Sequence, residues 1–158
     1  MKVIFLDIDG VLNEEKSRSR CCGYMGIDDK KAKNLAKIVK ATDAEIVLIS
    51  TWKDDWRKTD KSHQGMMANY LDKKLKKQGL IVLDKTESID KASGFHLSRG
   101  EGILQYLSTQ VVEKYVILDD YQFDYDGCGL TENYVKTDNN NGGLTEELAL
   151  QAISILKG

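Results

Sequence analysis

Lys2–Gly10, KVIFLDIDG, is the stretch from which the fold of this chain can be read. A short branched and aromatic run, Val3–Leu6, ends abruptly at Asp7-Ile8-Asp9-Gly10. Unbroken apolarity of this length marks a strand covered on both faces, whereas a half-solvated strand would alternate. The same pattern recurs at Ala44–Ile49 (AEIVLI), Leu80–Leu83 (LIVL) and Tyr115–Leu118 (YVIL), and more weakly at Tyr134–Lys136 (YVK). Helical periodicity fills the gaps. Asp28–Thr42 places Ala32, Leu35, Ile38 and Val39 on one face. Gly65–Gln78, Gly100–Thr109 and Thr145–Lys157 follow, the last with Glu146 and Glu147 in its first turn, where the helix dipole favours acids. Strand alternating with helix predicts an α/β fold: a parallel sheet of about five strands, right-handed crossovers and helices on both faces. No repeat or linker interrupts the pattern, and Asp138–Gly143 is a turn cluster. Residues 1–158 are expected to form a single domain.

Composition narrows the function. The chain has 158 residues and a formal net charge of -2, with a pI near 5.7. That excludes a strongly basic grip on nucleic acid. No apolar run is long enough to span a bilayer, and no secretory signal is read at the N-terminus. Cys21, Cys22 and Cys128 form neither a disulfide framework nor a zinc motif, so a reducing cytoplasm is the expected compartment. No obligate protein partner is evident.

In an open parallel sheet, ligands gather beyond the carboxyl ends of the strands. Asp7, Asp9 and Gly10 follow the first strand, Ser50 and Thr51 the second, and Asp119 and Asp120 the fourth, with Asp124 farther on. Carboxylates converging at one edge repel one another unless a cation joins them. All the candidate ligands are oxygens, and neither His63 nor His96 is among them, so a hard ion, Mg²⁺, is the match.

FLDIDGVLN, IVLIST and VILDD, in that order, resemble the motifs of the haloacid dehalogenase-like (HAD) hydrolases. More narrowly, DIDGVLN, STW, RGEGILQYL, YVILDD and VKTD…GGLT resemble the compact HAD domains of RNA-repair proteins. The resemblance implies a Rossmann-like sheet of order 3-2-1-4-5 and phosphatase chemistry. Asp7 would be the nucleophile, forming an aspartyl-phosphate, and Asp9 the general acid and then base. Mg²⁺ would be held by Asp7, the Asp9 carbonyl and Asp119, with Asp120 as an outer ligand and Asp124 as its alternative. Ser50, with Thr51 and Gly10 beside it, would bind the phosphoryl group. The third-motif cation would be Arg99, with Lys91 as rival. Asp9 argues against a dehalogenase, because expelling halide needs no proton donor. A phosphomutase and a non-catalytic phosphate- or metal-binding module remain alternatives.

Asn13–Asp28 leaves room for a small flap, and Trp52–Ser98 for little beyond one helix and one strand. A minimal cap or none, and hence an open site, is expected. An open site admits bulky esters such as a nucleic-acid end as well as small phosphorylated molecules. Arg18, Arg20, Arg57 and Arg99 all fall in segments expected near the active edge, where arginine suits phosphate. Trp52 and Trp56 read as core packing or loop anchors, with stacking on a base or sugar as the other use.

Overall fold

The computed structural model describes all residues, Met1–Gly158. Its main sheet contains β1 (Lys2–Leu6), β4 (Glu45–Leu48), β5 (Val82–Lys85), β6 (Lys114–Asp119) and β7 (Tyr134–Lys136), while β2 (Arg20–Cys21) and β3 (Tyr24–Met25) form a separate hairpin. The main sheet is parallel throughout, in the order β5-β4-β1-β6-β7. Counting its strands alone, this is 3-2-1-4-5. Side chains of β1 alternate between two cores. Ile4 and Leu6 join Ile46, Leu48, Val116 and Leu118 on one face. That face is covered by α1 (Asp29–Thr42), α2 (Met66–Lys76) and α4 (Glu146–Lys157), through residues such as Leu35, Leu71 and Ala152. Val3 and Phe5 pack with Val47 and Ile117 on the opposite face, under Ile103 and Tyr106 of α3 (Arg99–Thr109). Burial on both sides explains why the strands read as unbroken apolar runs.

The third sheet strand starts later than its sequence suggests. LIVL at 80–83 is apolar, yet β5 runs Val82–Lys85. Leu80 is used to end α2: its amide bonds back to the Leu75 carbonyl at 3.0 Å, with Gly79 at φ 73°. Ile81 is left 80% exposed.

Between β1 and α1 lies the flap. Cys22 and Gly23 both take positive φ, 55° and 84°, as a two-residue hairpin turn requires. The flap's base is tied down. Asn13 donates to the Gly26 carbonyl at 2.9 Å, the Ile27 amide donates to the Tyr70 hydroxyl at 3.0 Å, and Ser17 and Lys31 both donate to Asp28. No helix is long and apolar enough to cross a membrane, and all three cysteines are free.

Candidate active site

β1 and β6 are neighbours with Leu6 opposite Leu118, so Asp7 and Asp119 emerge side by side at the carboxyl end of the sheet. The Asp7 amide extends the ladder to the Leu118 carbonyl at 2.9 Å. Carboxylate oxygens of Asp7, Asp119 and Asp120 all lie within 4.8 Å of one another. Asp7 is 5% exposed and Asp119 wholly buried. Burial, and then the neighbouring Asp119, push the Asp7 carboxyl up to about 8, against the opposing pull of Arg99. Burial and Asp119 raise Asp120 as well.

Arg99 answers part of this charge. Its Nη1 lies 3.2 Å from Asp7 and 2.8 Å from Asp119. Burial disfavours the charged guanidinium, but the two carboxylates more than offset that and raise its pKa. Asp119 is held further by the Tyr125 hydroxyl at 2.5 Å and the Tyr121 amide at 3.1 Å. One guanidinium against three carboxylates leaves negative charge to be matched. A purely oxygen donor set suits a hard divalent cation, which Asp7, Asp119 and Asp120 would hold. Gly10 makes room for this grouping. It sits at φ 82°, and a Cβ there would lie 2.3 Å from a carboxylate oxygen of Asp120.

Asp9 points away from that trio. Its two oxygens accept from the Asn13 amide nitrogen at 2.9 Å and from the Trp52 indole at 3.1 Å. Asn13 also accepts the Gly10 amide at 2.9 Å, so one buried side chain shapes the whole turn after β1. No protein donor reaches the Asp9 carbonyl. Gly10 has no free amide to offer a substrate, because Asn13 takes it, and its carbonyl accepts from Thr137 at 2.7 Å. Ser50 is buried at the end of β4 and accepts from the Trp52 amide at 3.2 Å, which leaves its proton without a protein acceptor. Thr51 is exposed at the rim.

The rival residues separate cleanly in space. Lys91 is 86% exposed and faces Glu87 at 3.8 Å, whereas Arg99 contacts Asp7 and Asp119. Asp124 is spent on the start of α3, where it accepts from Ser98 and from the Gly100 amide at 2.9 Å. A capping box between Ser98 and Glu101 completes that helix start and so fixes Arg99 at its first position. Asp120, not Asp124, lies in the carboxylate trio. The other arginines do not reach the trio. Arg20 bonds to carbonyls of its own loop, Arg57 pairs with Asp60 at 3.4 Å, and Arg18 is exposed.

Asn13, Tyr125 and Lys53 escape a sequence reading. Asn13 lies within DIDGVLN and could be found there, but Tyr125 and Lys53 belong to no pattern. Lys53 is 8% exposed, donates to Thr86 at 2.9 Å, and has no carboxylate partner. Burial lowers its pKa to about 8. Trp52 and Trp56 are both buried, and Trp52 anchors Asp9 through its indole N–H.

The sequence matches the family of HAD domains in Swiss Army Knife RNA repair proteins over residues 3–149. No curated protein matches it. Among solved structures, a HAD superfamily (subfamily III A) hydrolase from Legionella pneumophila is similar at 14% identity and a TM-score of 0.48, over 99% of this chain and 85% of that one. The family match takes in the carboxylate trio, Asp9, Ser50 and Arg99 together. On that match, the chain belongs to the HAD-domain family of Swiss Army Knife RNA repair proteins, and with it to the HAD hydrolases.

Proposed function

We propose that this protein is a Mg²⁺-dependent phosphomonoesterase working through an aspartyl-phosphate on Asp7. The observation that carries the reading is the bridge from Arg99 to Asp7 and Asp119 within a trio of close carboxylates. Asp7, Asp119, Asp120 and the Asp9 carbonyl would hold Mg²⁺, which neutralises phosphoryl oxygens when bound. A carboxyl raised to about 8 needs positive charge beside it to attack as a carboxylate. The pull of Arg99 is already part of that balance, so Mg²⁺ would supply the rest. An Asp7 oxygen then bonds to phosphorus as the ester P–O bond breaks, and Asp9 gives its proton to the departing alcohol oxygen. Water attacks the phosphorylated Asp7 and yields its proton to Asp9. Inorganic phosphate leaves, and both acids return to their starting states. Ser50, with an uncommitted hydroxyl proton, donates to a phosphoryl oxygen.

The substrates are phosphomonoesters of nucleic-acid constituents, either chain ends or nucleotides. The small flap and the family's description support this. Phosphate release from p-nitrophenyl phosphate and from a phosphate-ended oligonucleotide, with Mg²⁺ and with chelator, tests the reading. Asp7→Asn is expected to lower the rate about a thousandfold or more. Turnover that survives that change, or that ignores chelation, overturns it. Phosphate binding without turnover identifies a non-catalytic module instead.

A further inference from the structure

The departing alcohol has to meet Asp9, so the surroundings of Asp9 define what that alcohol can be. Asp9 borders a cavity of about 430 Å³ between the β2–β3 hairpin and the turn after β4. This is a usual size for a small-ligand pocket. One wall is apolar: Tyr24 and Met25 from the hairpin, with Trp52 and Met67 opposite. Tyr24 is 69% exposed. The remaining lining is Thr51, Asp54 and Asp55. Asp9, Asp54 and Asp55 have no Lys, Arg or His nitrogen within 4.0 Å. No cationic residue lines the cavity.

Building on the phosphomonoesterase reading, we propose that this cavity receives the leaving group, and that it takes a single nucleoside while rejecting a leaving group that bears a phosphate of its own. A flat base packs well on a phenol ring and methionine thioethers. Thr51, Asp54 and Asp55 accept from the hydroxyl and amino donors that a nucleoside presents. A second phosphate would face three carboxylates in a cavity that no cationic residue lines. The same physics ranks a free nucleotide above a chain end, whose next phosphodiester lies on the leaving side.

Rates for adenosine 5′-monophosphate and adenosine 3′,5′-bisphosphate test this directly, since either phosphate removed from the second leaves a phosphate on the departing alcohol. Acetyl phosphate, whose leaving group has no base to stack on Tyr24, and choline phosphate complete the set. The monophosphate is expected to have a kcat/KM about tenfold higher than the bisphosphate at low salt, and the gap should shrink as salt screens the carboxylates. A double variant, Asp54→Asn with Asp55→Asn, is expected to bring the ratio close to one. Tyr24→Ala should raise KM for the monophosphate more than for acetyl phosphate. The inference is overturned if the bisphosphate is cleaved as well as the monophosphate, if the double variant leaves the ratio unchanged, or if choline phosphate is the better ester. If either nucleotide or choline phosphate is hydrolysed in any of those cases, the phosphomonoesterase reading stands without it. If none of the three esters is hydrolysed, that reading has failed and the inference with it.

Discussion

The two flanks of the sheet's carboxyl edge differ in charge. On the α3 side, Arg99 lies against Asp7 and Asp119, and Lys53 and Phe123 join it around a cavity of about 230 Å³. On the hairpin side, Asp9, Asp54 and Asp55 lie beside an apolar wall with no lysine or arginine in the lining. Thr51 and Asp54 border both cavities. The difference is one of chemistry. A transferring phosphoryl group carries spread negative charge and needs cations close by. A departing alcohol needs one proton and a surface to rest on. On the proposed phosphomonoesterase reading, the two demands would fall on opposite sides of β4's end.

Arg99→Ala strikes the cationic flank hardest. Activity should fall about 10²–10³-fold. The buried Asp7 and Asp119 also lose their shared partner, so thermal unfolding should move to lower temperature and recover in part with Mg²⁺. An unchanged melting temperature together with near-normal turnover would show that Arg99 only decorates the helix start.

Trp52→Phe sharpens the view of the other flank. It removes the indole donor to Asp9 but keeps an aromatic side chain in the core. A loss of about tenfold is expected on an alkyl phosphate, whose alcohol must be protonated, with little change on acetyl phosphate, whose leaving group needs no proton. Equal losses on both substrates would mean that Trp52 supports only the packing and not the position of Asp9.

Lys53 gives the smallest effect, and it is read in stability. The folded protein releases the Lys53 proton near pH 8, against an ordinary value of 10.5. Between these values the unfolded chain binds more protons, so stability rises with pH across that window. Lys53→Met should flatten the rise, which urea unfolding at several pH values between 7 and 10.5 would detect. A slope unchanged by the substitution would show that Lys53 is solvated like an ordinary lysine.

Much of the site could be read directly because the fold is local in its logic. Asp7, Ser50 and Asp119 each follow an apolar strand, and a parallel sheet lines up such ends by necessity. The choice between Arg99 and Lys91 could not be made that way. Both precede the fourth sheet strand, and only the capping of α3 by Ser98, Glu101 and Asp124 aims one of them inward. That only Arg99 of the four arginines contacts the carboxylate trio has a related reason. Proximity along the chain does not say where a long side chain finds its partner, and Arg20 and Arg57 find theirs within their own turns.

Strand identity, the parallel sheet, the helices on both faces and the acids at the strand ends are properties of this sequence taken alone, because hydrophobic periodicity and strand-end position are encoded residue by residue. The division of labour among the acids is not. Asp120 and Asp124 are alike in composition and near one another in the chain, yet one joins Asp7 and Asp119 while the other secures a helix. The difference in charge between the two flanks likewise emerges only when distant segments meet, since electrostatic fields and burial depend on distances in space and not along the chain.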